Sequence, residues 1–343
     1  MKIAYTVRLN DHHRDIIQQA CPEAEMLFPE TRIDGNNPYR PTLVDPRISD
    51  CDVILGHVNP EGLAQAAPKL KWVHLTSAGV DHVLQSDLLD HGQIVVTNSS
   101  GTSAPWIGEY VIGVMLQHSR SLNVAMRAQM RGEWFHQQVR TNCHSLRGKT
   151  LGIVGYGSIG RATARLAQAF GMNVLALKRD PSERRDPGWT LPGMGDPEGS
   201  IPSHWFGPDE RVELMKLSDY IVVAPPLTAA TRNLLGAREF AAAKPTAYVI
   251  NVARGEVIDQ DALIDALKSQ RLSGACLDVT TPEPLNADSP LWGMENVTLT
   301  FHTSAARPMS NFYDLACELF AENLRRFISG REMLNVIDRA RGY

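Results

Sequence analysis

Gly155-Tyr156-Gly157-Ser158-Ile159-Gly160 is the stretch that decides the fold. It stands between an apolar run, Thr150–Gly155, that reads as a strand, and Ser158–Phe170, that reads as a helix. A glycine-rich turn gains meaning only in that strand–turn–helix setting. Gly155 lets the chain turn sharply, Gly157 removes the Cβ that would block a pyrophosphate, and Gly160 lets the helix approach the sheet. The amides of Ser158 and Ile159 would face the phosphates at the positive end of the helix. Within the helix, Ile159, Ala162, Leu166 and Ala169 recur at steps of three and four, so that stripe is expected to face the sheet.

Working outward, a second strand is expected at Asn173–Lys178, and its end bears on the choice of dinucleotide. An acidic side chain there would bond the adenosine ribose hydroxyls. This chain has Lys178-Arg179 instead, followed by Arg184 and Arg185. Two cations at that edge would pair with a 2′-phosphate through charge-assisted hydrogen bonds, so NADP is the expected cofactor, ahead of NAD. The competing arrangement has Asp180 reaching the ribose while the cations stay solvated.

Further strands are expected at Asp219–Ala224, Ala247–Val252, Ala275–Val279 and Asn296–Thr300, with a capped helix at Asp259–Gln270. On the amino-terminal side, Lys2–Val7, Cys51–His57, Trp72–Thr76 and Ile94–Asn98 read as strands, and Asp11–Ala20 and Glu61–Ala67 as helices. Alternation of this kind argues for parallel sheets covered by helices. Pro29–Pro46 reads as a long loop, Ala104–Gly132 as one long helix between domains, and Met309–Gly330 as an amphipathic helix returning to the first domain. Arg179–Asp209, dense in Pro, Gly and charge, exceeds the usual connection length and reads as an insertion.

Three polar residues stand just past expected strands: Arg254, Glu283 and His302. In open α/β sheets ligands sit outside the carboxyl ends of strands, so the three are expected to line one site. A guanidinium offers a planar fork to a carboxylate. An imidazole can pass a proton to a carbonyl oxygen as hydride arrives at the carbon, and a carboxylate can orient that imidazole. Each alone would be an ordinary surface residue; their order, behind a dinucleotide turn, points to carbonyl reduction.

At these residues the chain resembles the D-isomer specific 2-hydroxyacid dehydrogenases. The matching pieces are Thr76-Ser77-Ala78-Gly79-Val80-Asp81, Asn98–Glu109, the Gly155–Gly160 turn, Pro226-Leu227-Thr228 with Thr231, Asn251-Val252-Ala253-Arg254-Gly255, Leu277-Asp278-Val279 with Glu283-Pro284, and His302. The resemblance implies two doubly wound parallel-sheet α/β domains. A Rossmann nucleotide domain (103–303) would be inserted in a flavodoxin-like substrate domain (1–102 and 304–343). It also implies roles: Arg254 on the substrate carboxylate and carbonyl, His302 as acid/base, and Glu283 as its partner. Asp278 would hold the nicotinamide carboxamide, Pro226, Thr231, Val252 and Ala253 would line the cofactor, and the backbone of Ala78 and Gly79 would hold the substrate. The expected reaction interconverts a small 2-oxo acid and its D-2-hydroxy acid, of the glyoxylate/hydroxypyruvate type. A dinucleotide-sensing co-repressor of the same fold is the alternative. Phe301, where the family commonly has proline, and the insertion are departures.

Composition narrows the rest. The 343 residues exceed one ordinary core and suit two domains. Net charge is −4, from 34 basic and 38 acidic residues, which gives no reason to expect nucleic acid. No run approaches the length of a membrane span. Five scattered cysteines without a Cys-x-x-Cys pair suit a reduced, cytoplasmic compartment, and no metal site is expected. By resemblance the protein would be a homodimer pairing through the Ala104–Gly132 region.

Overall fold

A computed structural model describes residues 1–34, 37–43, 45–58, 61–84, 86–308, 311–338 and 340–342. The chain divides into two compact units. The first comprises Met1–Thr102, Pro187–Trp189 and Arg307–Tyr343, and the second Ser103–Asp186 and Thr190–Ala306.

The first unit is built on a parallel sheet of β1 (Lys2–Tyr5), β2 (Glu25–Leu27), β5 (Val53–Gly56), β6 (Trp72–Leu75) and β7 (Val95–Asn98), in the spatial order β2-β1-β5-β6-β7. A separate antiparallel pair, β3 (Thr31–Asp34) and β4 (Asn37–Leu43), lies between β2 and β5 in sequence. This corrects the expected loop at Pro29–Pro46. Neither Thr-Arg-Ile-Asp nor Asn-Pro-Tyr-Arg-Pro-Thr-Leu alternates apolar with polar residues, so no period of two betrays the strands. By contrast, Val53, Ile54 and Leu55 of β5 form an unbroken apolar run and are fully buried.

The closing helix, Asp314–Ile328, packs on Asp11–Ala20. The anchors are a 2.7 Å contact between His13 Nε2 and Asp314 Oδ1 and the stacking of Phe320 on Trp72, ring centroids 4.8 Å apart. The helix thus starts later than expected from sequence, and Met309 and Ser310 of that expectation lie outside the described residues.

The second unit is a seven-stranded parallel sheet: β8 (Thr150–Val154), β9 (Asn173–Leu177), β10 (His204–Phe206), β11 (Tyr220–Val223), β12 (Tyr248–Asn251), β13 (Gly274–Leu277) and β14 (Val297–Leu299). Their spatial order is β10-β9-β8-β11-β12-β13-β14, every neighbouring pair parallel. Chain direction therefore reverses its march across the sheet at β8, between β9 and β11, which is where such sheets bind ligands. Strands buried on both faces, such as Tyr220-Ile221-Val222-Val223, read as unbroken apolar runs because helices cover both sides.

Two helical expectations need correcting. Ala104–Gly132 is two helices, Ala104–Ser119 and Leu122–Met130, broken at Ser121, whose φ of 52° is left-handed. The five residues Gln117–Ser121 carry no apolar side chain, and that polar run is the one mark the pattern gives of the break. In the helix Ser158–Ala169, Ala169 is exposed, and the buried residues are Gly160 through Ala164 with Ala167. The helix is gripped on two sides. Its glycine end meets β8, and Gly108 of the preceding helix approaches so closely that a Cβ there would lie 3.3 Å from Ala162. β10, an edge strand, falls inside the expected Arg179–Asp209 insertion.

Candidate active site

Because all seven strands of the second sheet run the same way, everything that follows a strand emerges at one edge. Gly155 follows β8, Lys178 follows β9, Pro226 follows β11, Val252 to Arg254 follow β12, Asp278 and Glu283 follow β13, and His302 follows β14. Ala78 and Gly79 follow β6 in the first unit.

The three glycines of the turn differ in what demands them. Gly155 has φ +93°, and a Cβ there would sit 2.5 Å from the Pro225 nitrogen. Gly160 would place a Cβ 2.8 Å from the Gly155 oxygen. Both are required by the protein's own packing. Gly157 is not: its φ of −90° suits any residue, and an added Cβ would meet nothing within 4 Å. The space over Gly157, at the head of a helix, is the cradle a pyrophosphate needs. Gly157→Ala is accordingly expected to leave thermal stability unchanged while weakening dinucleotide binding by about tenfold or more. Melting curves beside a fluorescence titration with the cofactor would check both halves.

At the end of β9, Asp180 turns its carboxylate onto Ser182, accepting from its amide at 2.9 Å and its hydroxyl at 2.6 Å. Those bonds hold Asp180 below its usual pKa. Lys178 donates to the Glu183 carbonyl, and burial lowers its pKa. Arg179 is exposed.

The insertion is tied to the dinucleotide helix by a residue the sequence reading passed over. Arg161, 2% exposed, pairs through Nε with Asp186 Oδ2 at 3.2 Å and donates from Nη2 to the Arg184 carbonyl at 2.7 Å. It also donates to the Asp196 carbonyl, and the Tyr156 hydroxyl donates to Asp196 Oδ2 at 2.8 Å. An arginine on a helix ordinarily reads as a solvated face, so only the unusual length of the insertion hinted at a clamp.

Arg254 sits where β12 gives way to a short 3-10 turn. Asn251 braces that corner, donating to the Arg254 carbonyl at 3.0 Å and accepting from the Ala253 amide at 3.0 Å. Arg254 Nη1 donates to the Ala253 carbonyl at 2.9 Å. Gly255 is what brings this corner against the next loop, since a Cβ there would lie 2.1 Å from the Thr280 oxygen. Gln260 then clasps Thr281, donating to its carbonyl at 2.6 Å and accepting from its amide at 2.9 Å. The Arg254 loop and the Glu283 loop are thus neighbours by construction.

His302 Nδ1 and Glu283 Oε1 are 2.6 Å apart, both side chains about half exposed. A carboxylate only accepts, so Nδ1 carries the proton of that bond and Nε2 is the nitrogen left for other partners. Phe301 and His302 are both left-handed, at φ 55° and 57°, a conformation that costs about 1–2 kcal/mol for a non-glycine residue. Asp278 holds them there. Its carbonyl accepts from the His302 amide at 2.5 Å. Its buried carboxylate accepts from the Thr300 hydroxyl at 2.8 Å, the Thr303 amide at 2.8 Å and the Ser304 amide at 3.0 Å.

In the first unit, Asn98 donates to the Ala78 carbonyl at 3.0 Å and Ser77 to the Gly79 carbonyl at 3.0 Å. In trans peptides the N–H groups of Gly79 and Val80 therefore point away from those bonded carbonyls. Pro226 and Thr231 form a closed turn, the Thr231 hydroxyl donating to the Pro226 carbonyl at 2.6 Å. Val252 and Ala253 are buried beneath the Arg254 corner. Among the described residues no helix is long and apolar enough to cross a membrane.

Comparison with known proteins bears on the fold and the family. Residues 112–304 match the family model for the NAD binding domain of D-isomer specific 2-hydroxyacid dehydrogenases. The chain is 35% identical over 269 residues to a glyoxylate reductase of Thermococcus gammatolerans, covering 77% of this chain and 75% of that one. It is 32% identical over 295 residues to a D-3-phosphoglycerate dehydrogenase of Methanocaldococcus jannaschii, covering 85% of this chain but only 52% of that relative, so it spans about half of it. Among solved structures it is similar to a D-isomer specific 2-hydroxyacid dehydrogenase of Xanthobacter autotrophicus Py2 in complex with NADPH and MES. The TM-score is 0.79 and the identity 28%, covering 100% of this chain and 99% of that one.

Proposed function

Since this chain belongs to the D-isomer specific 2-hydroxyacid dehydrogenases, we propose that it reduces a small 2-oxo acid of the glyoxylate/hydroxypyruvate type to the D-2-hydroxy acid, with NADPH preferred over NADH. The observation that carries the reading is the 2.6 Å His302–Glu283 pair on the edge of the sheet that also bears Arg254 and the glycine turn. The relative named glyoxylate reductase supports the substrate class.

The nicotinamide cofactor supplies the hydride to C2 of the oxo acid. The turn Gly155–Gly160, with the amides of Ser158 and Ile159, would hold its pyrophosphate, and Pro226, Thr231, Val252 and Ala253 would line the rest of the slot. Lys178 and Arg179 would take the 2′-phosphate, a reading helped by Asp180 being engaged with Ser182.

On the substrate side, Arg254 grips the carboxylate and steadies the charge that builds on the carbonyl oxygen. His302 gives that oxygen its proton from Nε2 while Glu283 fixes the ring through Nδ1. The amides at Ala78 and Gly79 would add hydrogen bonds to the substrate carboxylate. Asp278 would keep the His302 loop in register; a carboxamide contact would fall to its Oδ2, which among the described residues accepts from Ser304 alone while Oδ1 accepts from Thr300, Thr303 and Ser304.

Steady-state rates over a panel of 2-oxo acids with both cofactors test the reading. Saturable oxidation of NADPH with glyoxylate or hydroxypyruvate is expected, with kcat/KM for NADPH about 10- to 100-fold above that for NADH, the worth of one or two hydrogen bonds to a charged group. Replacing Lys178 and Arg179 together with serine should erase that ratio. A ratio that favours NADH from the outset would remove the 2′-phosphate assignment.

The same reading includes a homodimer in a reducing, cytoplasmic setting. Leu122, Met126 and Met130, exposed by 48%, 61% and 88%, recur at helical steps, and with Trp134, 92% exposed just past the helix end, they offer apolar surface that a second copy would cover. All five cysteines are free and four are buried, in keeping with a thiol-rich compartment.

A further inference from the structure

Behind the His302 loop lies a partly buried file of hydrogen-bonding groups that the reaction as described does not use. The Tyr110 hydroxyl, on the helix Ala104–Ser119, lies 2.6 Å from Thr300 Oγ1 and 3.1 Å from Cys276 Sγ. Thr300 Oγ1 lies 2.8 Å from Asp278 Oδ1.

The directions of these bonds follow from counting protons. Asp278 only accepts, so the Thr300 hydroxyl commits its one proton there. Thr300 must then accept from Tyr110, which leaves the Tyr110 oxygen as acceptor for the Cys276 thiol. Burial pushes the Cys276 thiol up to about 12 and raises the Tyr110 phenol as well, so both keep their protons near neutrality. Every bond in the file points toward Asp278. The Asp278 carboxylate in turn accepts from the amides of Thr303 and Ser304, and its backbone carbonyl accepts from the His302 amide at 2.5 Å.

We propose that Thr300 and Tyr110 are positioning residues for the reaction, aligning Asp278 so that it holds the left-handed Phe301–His302 corner and aims the imidazole. This rests on the reading of His302 as acid/base. Neither residue is a catalytic one: both act through Asp278, and Tyr110 acts only through Thr300. The tyrosine also links the corner to the helix that packs on the dinucleotide helix through Gly108 and Ala162.

Thr300→Val preserves the side chain's shape and removes its hydroxyl. Thr300→Ser keeps the hydroxyl. The expected result is a kcat about tenfold lower in Thr300→Val, the size of one lost hydrogen bond, with cofactor affinity and melting temperature close to those of the parent. Thr300→Ser should restore kcat. Tyr110→Phe should lose less than Thr300→Val, and the double variant should be no worse than Thr300→Val alone, because the two act in series.

Full parental kcat in both Thr300→Val and Tyr110→Phe, beside an inactive His302→Ala, would overturn the positioning role and leave the acid/base reading intact. Losses that simply add, or that fall on cofactor affinity and kcat alike without rescue by serine, would overturn it too. If Thr300→Val does not fold, Tyr110→Phe decides: a selective kcat loss supports the proposal and parental kcat ends it. A parent protein that turns over no 2-oxo acid, or a fully active His302→Ala, would instead sink the reading on which the proposal stands.

Discussion

His302→Ala is expected to lower kcat for 2-oxo acid reduction by about 10²–10⁴-fold, the usual worth of a positioned acid/base group. Cofactor affinity should be unchanged, because the imidazole sits on β14's loop, away from the glycine turn after β8. Stability should hardly move either. The ion pair to Glu283 is about half exposed, and pairs of that kind contribute little to folding. The left-handed backbone at 302 strains alanine as it strains histidine, so the substitution does not relieve the corner. Stopped-flow binding of NADPH, melting curves and steady-state rates together separate a lost proton donor from a lost fold. Retained turnover would take His302 out of the reaction.

Arg254→Ala is the second large effect. It should raise KM for the oxo acid and lower kcat together, with kcat/KM falling by about 10²–10³-fold, since the guanidinium both grips the carboxylate and meets charge that develops on the carbonyl oxygen. Lysine should recover only part of this, because a point charge cannot reproduce the planar fork. The corner itself should survive. It is braced through backbone by Asn251 and by the approach of Gly255 to Thr280, neither of which needs the side chain. A variant with a higher KM and an untouched kcat would restrict Arg254 to binding.

These two residues also show what could be read from sequence and what could not. The glycine turn, the apolar runs and the polar residues behind them are local signals. Parallel topology then carries Arg254, Glu283 and His302 to one edge without further information. What stayed hidden is what depends on contacts between distant segments. Arg161 looked like a solvated helix residue, yet it is buried under the insertion by Asp186, Arg184 and Asp196. Asp278 was expected to face the cofactor, while its carboxylate is largely engaged by the loop 22 to 26 residues downstream. The β3–β4 pair carries no alternation. Propensity and spacing are silent on such features, because a partner far along the chain decides them.

The most direct test follows the hydride. NADPH deuterated at the transferable position of the nicotinamide, incubated with the protein and hydroxypyruvate, should yield glycerate of D configuration that carries the deuterium at C2. The same incubation with His302→Ala should yield almost none. Glycerate of L configuration, deuterium left on the cofactor, or an equal yield from His302→Ala would contradict the account.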